Sequence, residues 1–204
     1  ECKNIDKVYV ATSIQESDDK ISQFCINQKI PFYRGNLENV LERFIRIIKK
    51  ENATYVVRIT GDCPLIYPNL IEKQIKVVKE TKCDGIVLYP NSSIFCGQGI
   101  HSSESLKNIF QNSKSKLDLE HVGSYYLNNF PEKFKWVKIL MPNKFNQVDF
   151  RLTIDEIEDY KLISTLYEEL WNGEPINFHD ALNWLKNNKE TSRLNLKISD
   201  SKDN

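Results

Sequence analysis

The feature that most constrains this chain is the order in which its apolar periodicity switches between two and 3.6 residues. Residues 8–12 (Val-Tyr-Val-Ala-Thr) form a β-rich run. Residues 18–28 then read as a helix with Ile21, Phe24 and Cys25 on one face. Residues 29–33 return as an extended segment, because Pro31 disfavours helix at Ile30. Residues 37–50 carry Leu37, Val40, Leu41, Phe44, Ile45 and Ile48 at helical spacing. Residues 54–60 are β-branched and aromatic, 69–81 are helical with Leu70, Ile71, Ile75 and Val78 inward, and 84–89 are again strand-like. This β-α-β-α-β-α-β rhythm predicts an α/β fold with a mainly parallel sheet.

Residues 91–204 are less regular. Helices are expected over 103–111, 117–129, 156–171 and 178–187, the last capped by Asn177, with strands over 134–141 and 147–153. From Glu190 the chain is polar. One domain over residues 1–189 with a tail over 190–204 is the simplest organisation.

Composition excludes several function classes. Lys plus Arg and Asp plus Glu are both 28, so no field of one sign recruits a polyanion, against a dedicated nucleic-acid binder. No apolar run approaches the ~20 residues of a membrane helix. The five cysteines include no CxxC pair, which points to reduced thiols in a cytoplasmic protein.

Ligands of open parallel sheets bind beyond the carboxyl ends of the strands. Three such ends are polar: Thr12-Ser13, Gly61-Asp62 and Thr153 to Glu156. Asp62 follows a buried strand through Gly61, which lets a ligand approach, and Pro64 stiffens the turn. A carboxylate there suits a hard cation such as Mg²⁺, or it only caps the turn. Asp155 carries the same pair of readings, as N-cap of the next helix or as a second metal carboxylate. Arg58, within a β-rich run, either lies at the sheet edge or reaches the crevice as a fixed positive charge for phosphate, and Arg34, after an extended run, is a similar candidate. The histidines have no metal-ligand spacing, and Walker A, GxSxG and GxGxxG motifs are absent.

Five separated motifs then agree in order. They are residues 8–13 (Val-Tyr-Val-Ala-Thr-Ser), 33–43 (Tyr-Arg-Gly-Asn-Leu-Glu-Asn-Val-Leu-Glu-Arg), 58–66 (Arg-Ile-Thr-Gly-Asp-Cys-Pro-Leu-Ile), Glu120-His121, and 151–159 (Arg-Leu-Thr-Ile-Asp-Glu-Ile-Glu-Asp). Together they resemble the SpsF-type cytidylyltransferases of spore-coat polysaccharide biosynthesis, which group with CMP-sialic acid and CMP-Kdo synthetases. The resemblance covers about residues 4–187. It implies a three-layer α/β/α, Rossmann-like nucleotide-diphospho-sugar transferase fold. It also implies a reaction in which a sugar hydroxyl attacks the α-phosphate of CTP, giving a CMP-sugar and pyrophosphate. Residue by residue, Asp62 and Asp155 would ligate Mg²⁺ and Arg58 would serve the phosphates or a sugar acid. Ala11, Thr12, Ser13 and Arg34 would line the nucleotide, and Gln98, Glu120 and His121 the acceptor pocket. Relatives of this kind are commonly dimeric, so a homodimer is expected.

The chain departs from the family pattern at Asn39, His101, Leu152 and Ile157. The family also opens with a strand and a basic loop resembling QARxxSxRLPGK, which grips the triphosphate; residues 1–204 contain none. The resemblance therefore carries the expectation of a chain shortened at its N-terminus, poor in CTP binding and turnover, and marginally stable. Two other readings fit the departures: a non-catalytic nucleotide-sugar binding or interaction domain on the same fold, and a glycosyltransferase using a nucleotide sugar.

Overall fold

The structure, a computed structural model, describes residues 2–89, 98–142, 145 and 150–192. Strand β1 (Val10–Ser13) leads to α1 (Asp19–Asn27), β2 (Phe32–Gly35), α2 (Val40–Glu51), β3 (Tyr55–Ile59), α3 (Pro68–Thr81) and β4 (Gly85–Tyr89). The expected alternation is therefore present. Then follow β5 (Gln98–Ser102), α4 (Ser103–Asn112), α5 (Lys116–Glu120), α6 (Ser124–Asn129), β6 (Trp136–Leu140), α7 (Ile157–Leu170), α8 (Phe178–Asn187) and α9 (Lys189–Ser192). Strands β1 and β2 pair in parallel with Thr12 opposite Arg34. The other sheet has the order β3-β5-β4-β6, with β4 and β5 antiparallel.

Local chemistry explains most boundaries. Helix α2 starts at Val40, three residues later than the apolar periodicity indicates, because the Asn39 side chain accepts the Glu42 amide at 2.9 Å and caps it there. Leu37 thus precedes the helix and is exposed, not inward. In α1 only Cys25 of the expected apolar face is buried; Ile21 and Phe24 are 44% and 59% exposed. The single helix expected over 117–129 is two. Val122 and Gly123 both take positive φ, which ends α5 and starts α6. The strand expected over 147–153 falls partly outside the described residues, and 150–153 is irregular. Strand β5 had no expected counterpart.

The chain divides into two compact units. The first comprises Glu1–Val57, Glu72–Ile86 and Ile100–Val137. Its core packs Leu41, Ile45 and Ile48 of α2 against Leu106 and Ile109 of α4 and Val122, Tyr126 and Leu127. Gly85 is required here by close approach: a Cβ would lie 2.2 Å from the Trp136 ring. The second unit comprises Arg58–Ile71, Val87–Gly99 and Lys138–Asn204. Leu162 and Leu166 of α7 and Ala181 and Leu185 of α8 are fully buried within it. Tyr67 stacks on Phe178 at 4.9 Å beside Phe145 and His179.

Candidate active site

In the first unit, the parallel pairing of β1 and β2 sets Thr12 beside Arg34 at the carboxyl ends of both strands. Thr12 and Ser13 are buried. One oxygen of Asp18 accepts the Thr12 hydroxyl at 2.7 Å and the Ser13 amide at 2.9 Å. The Ser13 and Thr12 hydroxyls, with the Ser13 amide, hold the Asp18 carboxyl down at about 2. Arg34 donates to the carbonyls of Ser13 (2.8 Å) and Gln15 (2.9 Å) and pairs with Asp19 at 2.7 Å. Arg43 donates to the Ala11 carbonyl at 3.0 Å, and burial pushes its guanidinium pKa down. The expected nucleotide residues Ala11, Thr12, Ser13 and Arg34 are thus clustered, braced by Asp18 and Arg43, which the sequence did not single out.

Glu120 and His121 lie exposed at the C-terminal end of α5. Below them Asp118 is fully buried, accepting the Tyr126 amide at 2.7 Å and the Ser113 hydroxyl. That carboxylate ties together the α5–α6 corner, in which Val122 takes a left-handed conformation.

The second unit carries the two candidate metal carboxylates. A turn closed by the Cys63 amide on the Thr60 carbonyl (3.2 Å) follows β3, which contains Arg58, and presents Asp62. The space beside Gly61 is open: a Cβ there would meet nothing within 4 Å. The Asp62 carbonyl accepts the Ile154 amide at 2.8 Å. This bond sets the Asp62 turn directly beside the segment bearing Asp155. Asp155 accepts the Thr153 hydroxyl at 3.2 Å and lies 3.5 Å from a guanidinium nitrogen of Arg151. The Asp155 side chain is half exposed, so it is open to a ligand. Asp159, fully buried, is the hub of the segment. It accepts Arg151 through Nη2 at 2.5 Å and Nε at 3.3 Å, and the amides of Asp155 (3.0 Å) and Glu156 (2.9 Å). Eight residues further along α7, the Tyr167 hydroxyl donates to the Pro64 carbonyl at 3.0 Å, and burial pushes its pKa up. Tyr167 carries no mark in the sequence because its partner is a main-chain carbonyl, and Asp159 carries none because spacing alone does not show that the acids after Asp155 differ in burial.

Gln98 is buried, with its amide oxygen accepting the Tyr67 amide at 2.9 Å and its amide nitrogen 3.5 Å from the Leu65 carbonyl. It braces the segment that leads into α3.

Among the described residues, no group of three or more His, Cys, Asp or Glu side chains could hold a metal. Two carboxylates on adjacent loops nonetheless fit Mg²⁺, a hard cation that takes one or two protein carboxylates and completes its shell with water and phosphate oxygens.

In an open α/β fold the space beyond the carboxyl ends of the strands is where ligands bind, and the Asp62 turn after β3 lies there. A family model described as cytidylyltransferase matches residues 1–190, so the chain belongs to the cytidylyltransferase family and is a nucleotidyltransferase enzyme. It is 27% identical over 198 residues to the spore coat polysaccharide biosynthesis protein SpsF of Bacillus subtilis, covering 93% of this chain and 79% of that protein. It is 30% identical over 203 residues to an uncharacterized protein of Methanocaldococcus jannaschii, covering 96% of this chain and 79% of that one. A cytidylyltransferase structure from Leptospira borgpetersenii superposes with a TM-score of 0.79 at 22% identity, over 91% of this chain and 78% of that one. CMP:2-keto-3-deoxy-manno-octonic acid synthetase, solved with CTP, superposes at 0.58 with 13% identity, over 83% of each chain. The last two likenesses concern the fold, which is the Rossmann-like α/β arrangement expected of nucleotide-diphospho-sugar transferases.

Proposed function

We propose that this enzyme transfers CMP from CTP to a sugar hydroxyl, releasing pyrophosphate, in surface polysaccharide or glycan synthesis. The observation that carries the reading is the Ile154–Asp62 hydrogen bond of 2.8 Å, which sets the two aspartate loops side by side. In this reading Asp62 and Asp155 hold Mg²⁺, which would supply charge neutralisation on the triphosphate. Arg58 offers a further positive charge to phosphate or to an acidic sugar. For the first unit we propose the nucleotide contacts of Ala11, Thr12, Ser13 and Arg34, and acceptor contacts at Glu120 and His121. For the second unit we propose Gln98 as a further acceptor residue. The work of such a site is positioning and electrostatics, since the sugar hydroxyl and the triphosphate carry the bond changes themselves. A cytoplasmic setting fits a sequence whose five cysteines include no CxxC pair.

Pyrophosphate release by the full chain with CTP, Mg²⁺ and a panel of sugars tests the reading. Activity is expected with one acceptor class. Asp62→Ala and Asp155→Ala should each remove it while leaving the melting temperature within a few degrees. Full activity in either variant removes that residue from the site, and nucleotide-sugar hydrolysis without pyrophosphate release replaces the reaction.

A further inference from the structure

One guanidinium in the second unit faces two carboxylates of opposite character. Asp159 is fully buried, while the Asp155 side chain is 48% exposed. Arg151 gives Asp159 its short contacts, 2.5 and 3.3 Å, and stands off Asp155 at 3.5 Å. The same Asp159 oxygen that takes Nη2 also takes the Asp155 and Glu156 amides. We infer that Asp159 is a positioning residue that holds Arg151 back from Asp155, leaving that carboxylate available to a divalent cation. The inference rests on the assignment of Asp62 and Asp155 as the metal pair.

The physical argument is competition for one cation. A buried carboxylate strongly holds its partner, because an uncompensated charge there is costly. While Asp159 is ionised, Arg151 stays engaged, and Asp155 keeps oxygen lone pairs for a ligand from solvent. With Asp159 neutralised, the guanidinium loses the buried anion that holds it and turns to Asp155 at its side. An Arg–carboxylate pair then occupies the oxygens that a metal would use. Among the described residues, the carboxylates paired with this guanidinium include Asp155, from the loop before α7, and Asp159, from its first turn.

Asp159→Asn isolates this effect. The amide oxygen can still accept the Asp155 and Glu156 amides, so the loop backbone is kept while the charge that holds Arg151 is removed. Mn²⁺ titration of the full chain, read by electron paramagnetic resonance without nucleotide or turnover, gives the affinity of the site that Asp62→Ala abolishes. Asp159→Asn should weaken it by about 10- to 100-fold, the range for groups that orient metal ligands. The double variant Asp159→Asn with Arg151→Gln should return it to within about threefold of wild type, which a general folding defect cannot do. Arg151→Lys, whose single ammonium stays with Asp159, should bind Mn²⁺ no more weakly than wild type, and this holds as a test if Asp159→Asn does not fold. Unchanged affinity in Asp159→Asn, no recovery in the double variant, or a tenfold loss in Arg151→Lys overturns the inference with the metal pair intact. No Asp62-dependent Mn²⁺ binding in wild type overturns both.

Discussion

Asp18 makes a measurable claim about how the end of β1 is held. Its carboxylate takes the Thr12 hydroxyl at 2.7 Å and the Ser13 amide at 2.9 Å, and its pKa falls from 3.8 to about 2. The folded state therefore binds this proton less readily than the unfolded chain. The resulting stability is fully present above about pH 4 and is lost as the pH falls towards 2. At about 1.4 kcal/mol per tenfold, a drop of this size would be worth a little over 2 kcal/mol if shielded from solvent. Asp18 is only half-buried, so screening reduces the expectation to about 1 kcal/mol. Urea unfolding of wild type and Asp18→Asn from pH 7 down to pH 3 isolates this group from the other carboxylates, because only the difference is read. Wild type should lead by about 1 kcal/mol at pH 7, or roughly 2–4 °C in melting temperature for a chain of this size. The lead should shrink below pH 4. A difference that is zero at pH 7, or constant down to pH 3, refutes the role given to the Thr12 and Ser13 hydrogen bonds.

Three further outcomes are expected. Gly61→Val fills open space at a backbone any residue can adopt, so the melting temperature should hold while pyrophosphate release falls at least about tenfold, if phosphate approaches here. Tyr167→Phe removes one hydrogen bond to the Pro64 carbonyl, costing about 1 kcal/mol by calorimetry, with a larger effect on kcat than on the KM for CTP. Asp118→Ala leaves the buried Tyr126 amide without its acceptor and should cost about 1–3 kcal/mol, read as a lower urea midpoint.

The parts of the fold legible in the sequence are those written in periodicity. Leu41, Ile45 and Ile48 announce α2 and are its buried face, because a helix face and a core must coincide. Asn177 announces the start of α8 and accepts the His179 amide at 2.8 Å. Less legible were features set by contacts between distant segments. Phe24 has the right spacing for a core residue, yet nothing in its own helix says that its side is left uncovered. Val122 in a left-handed conformation contradicts its residue type, since a β-branched side chain disfavours it. It sits in a corner tied by Asp118, four residues back, whose carbonyl accepts the Gly123 amide at 2.8 Å. For the candidate site, Asp62 could be named from the end of β3, and Asp155 from an expected strand whose 150–153 part is irregular. Their adjacency could not, because it is carried by a main-chain bond between residues far apart in the chain.

That adjacency puts the register of α7 under a tight constraint. Asp159 holds the Asp155 segment and Tyr167 holds the Asp62 turn, and the two lie about 12 Å apart along the helix at 1.5 Å per residue. Their spacing is fixed only if α7 cannot slide or rotate. Leu162, Ile163 and Leu166, buried between them, supply that fixity. Two loops from separate parts of the chain are thus gauged by one rigid element, and their relative position tracks its packing. A cavity at Leu166 would cost the few kcal/mol of any large-to-small core change. It would also let the two aspartates drift apart, so with Asp62 and Asp155 as the proposed metal pair, Mn²⁺ affinity and stability should fall together at this position. At Tyr167 and Asp159, by contrast, the site can be loosened with the core intact.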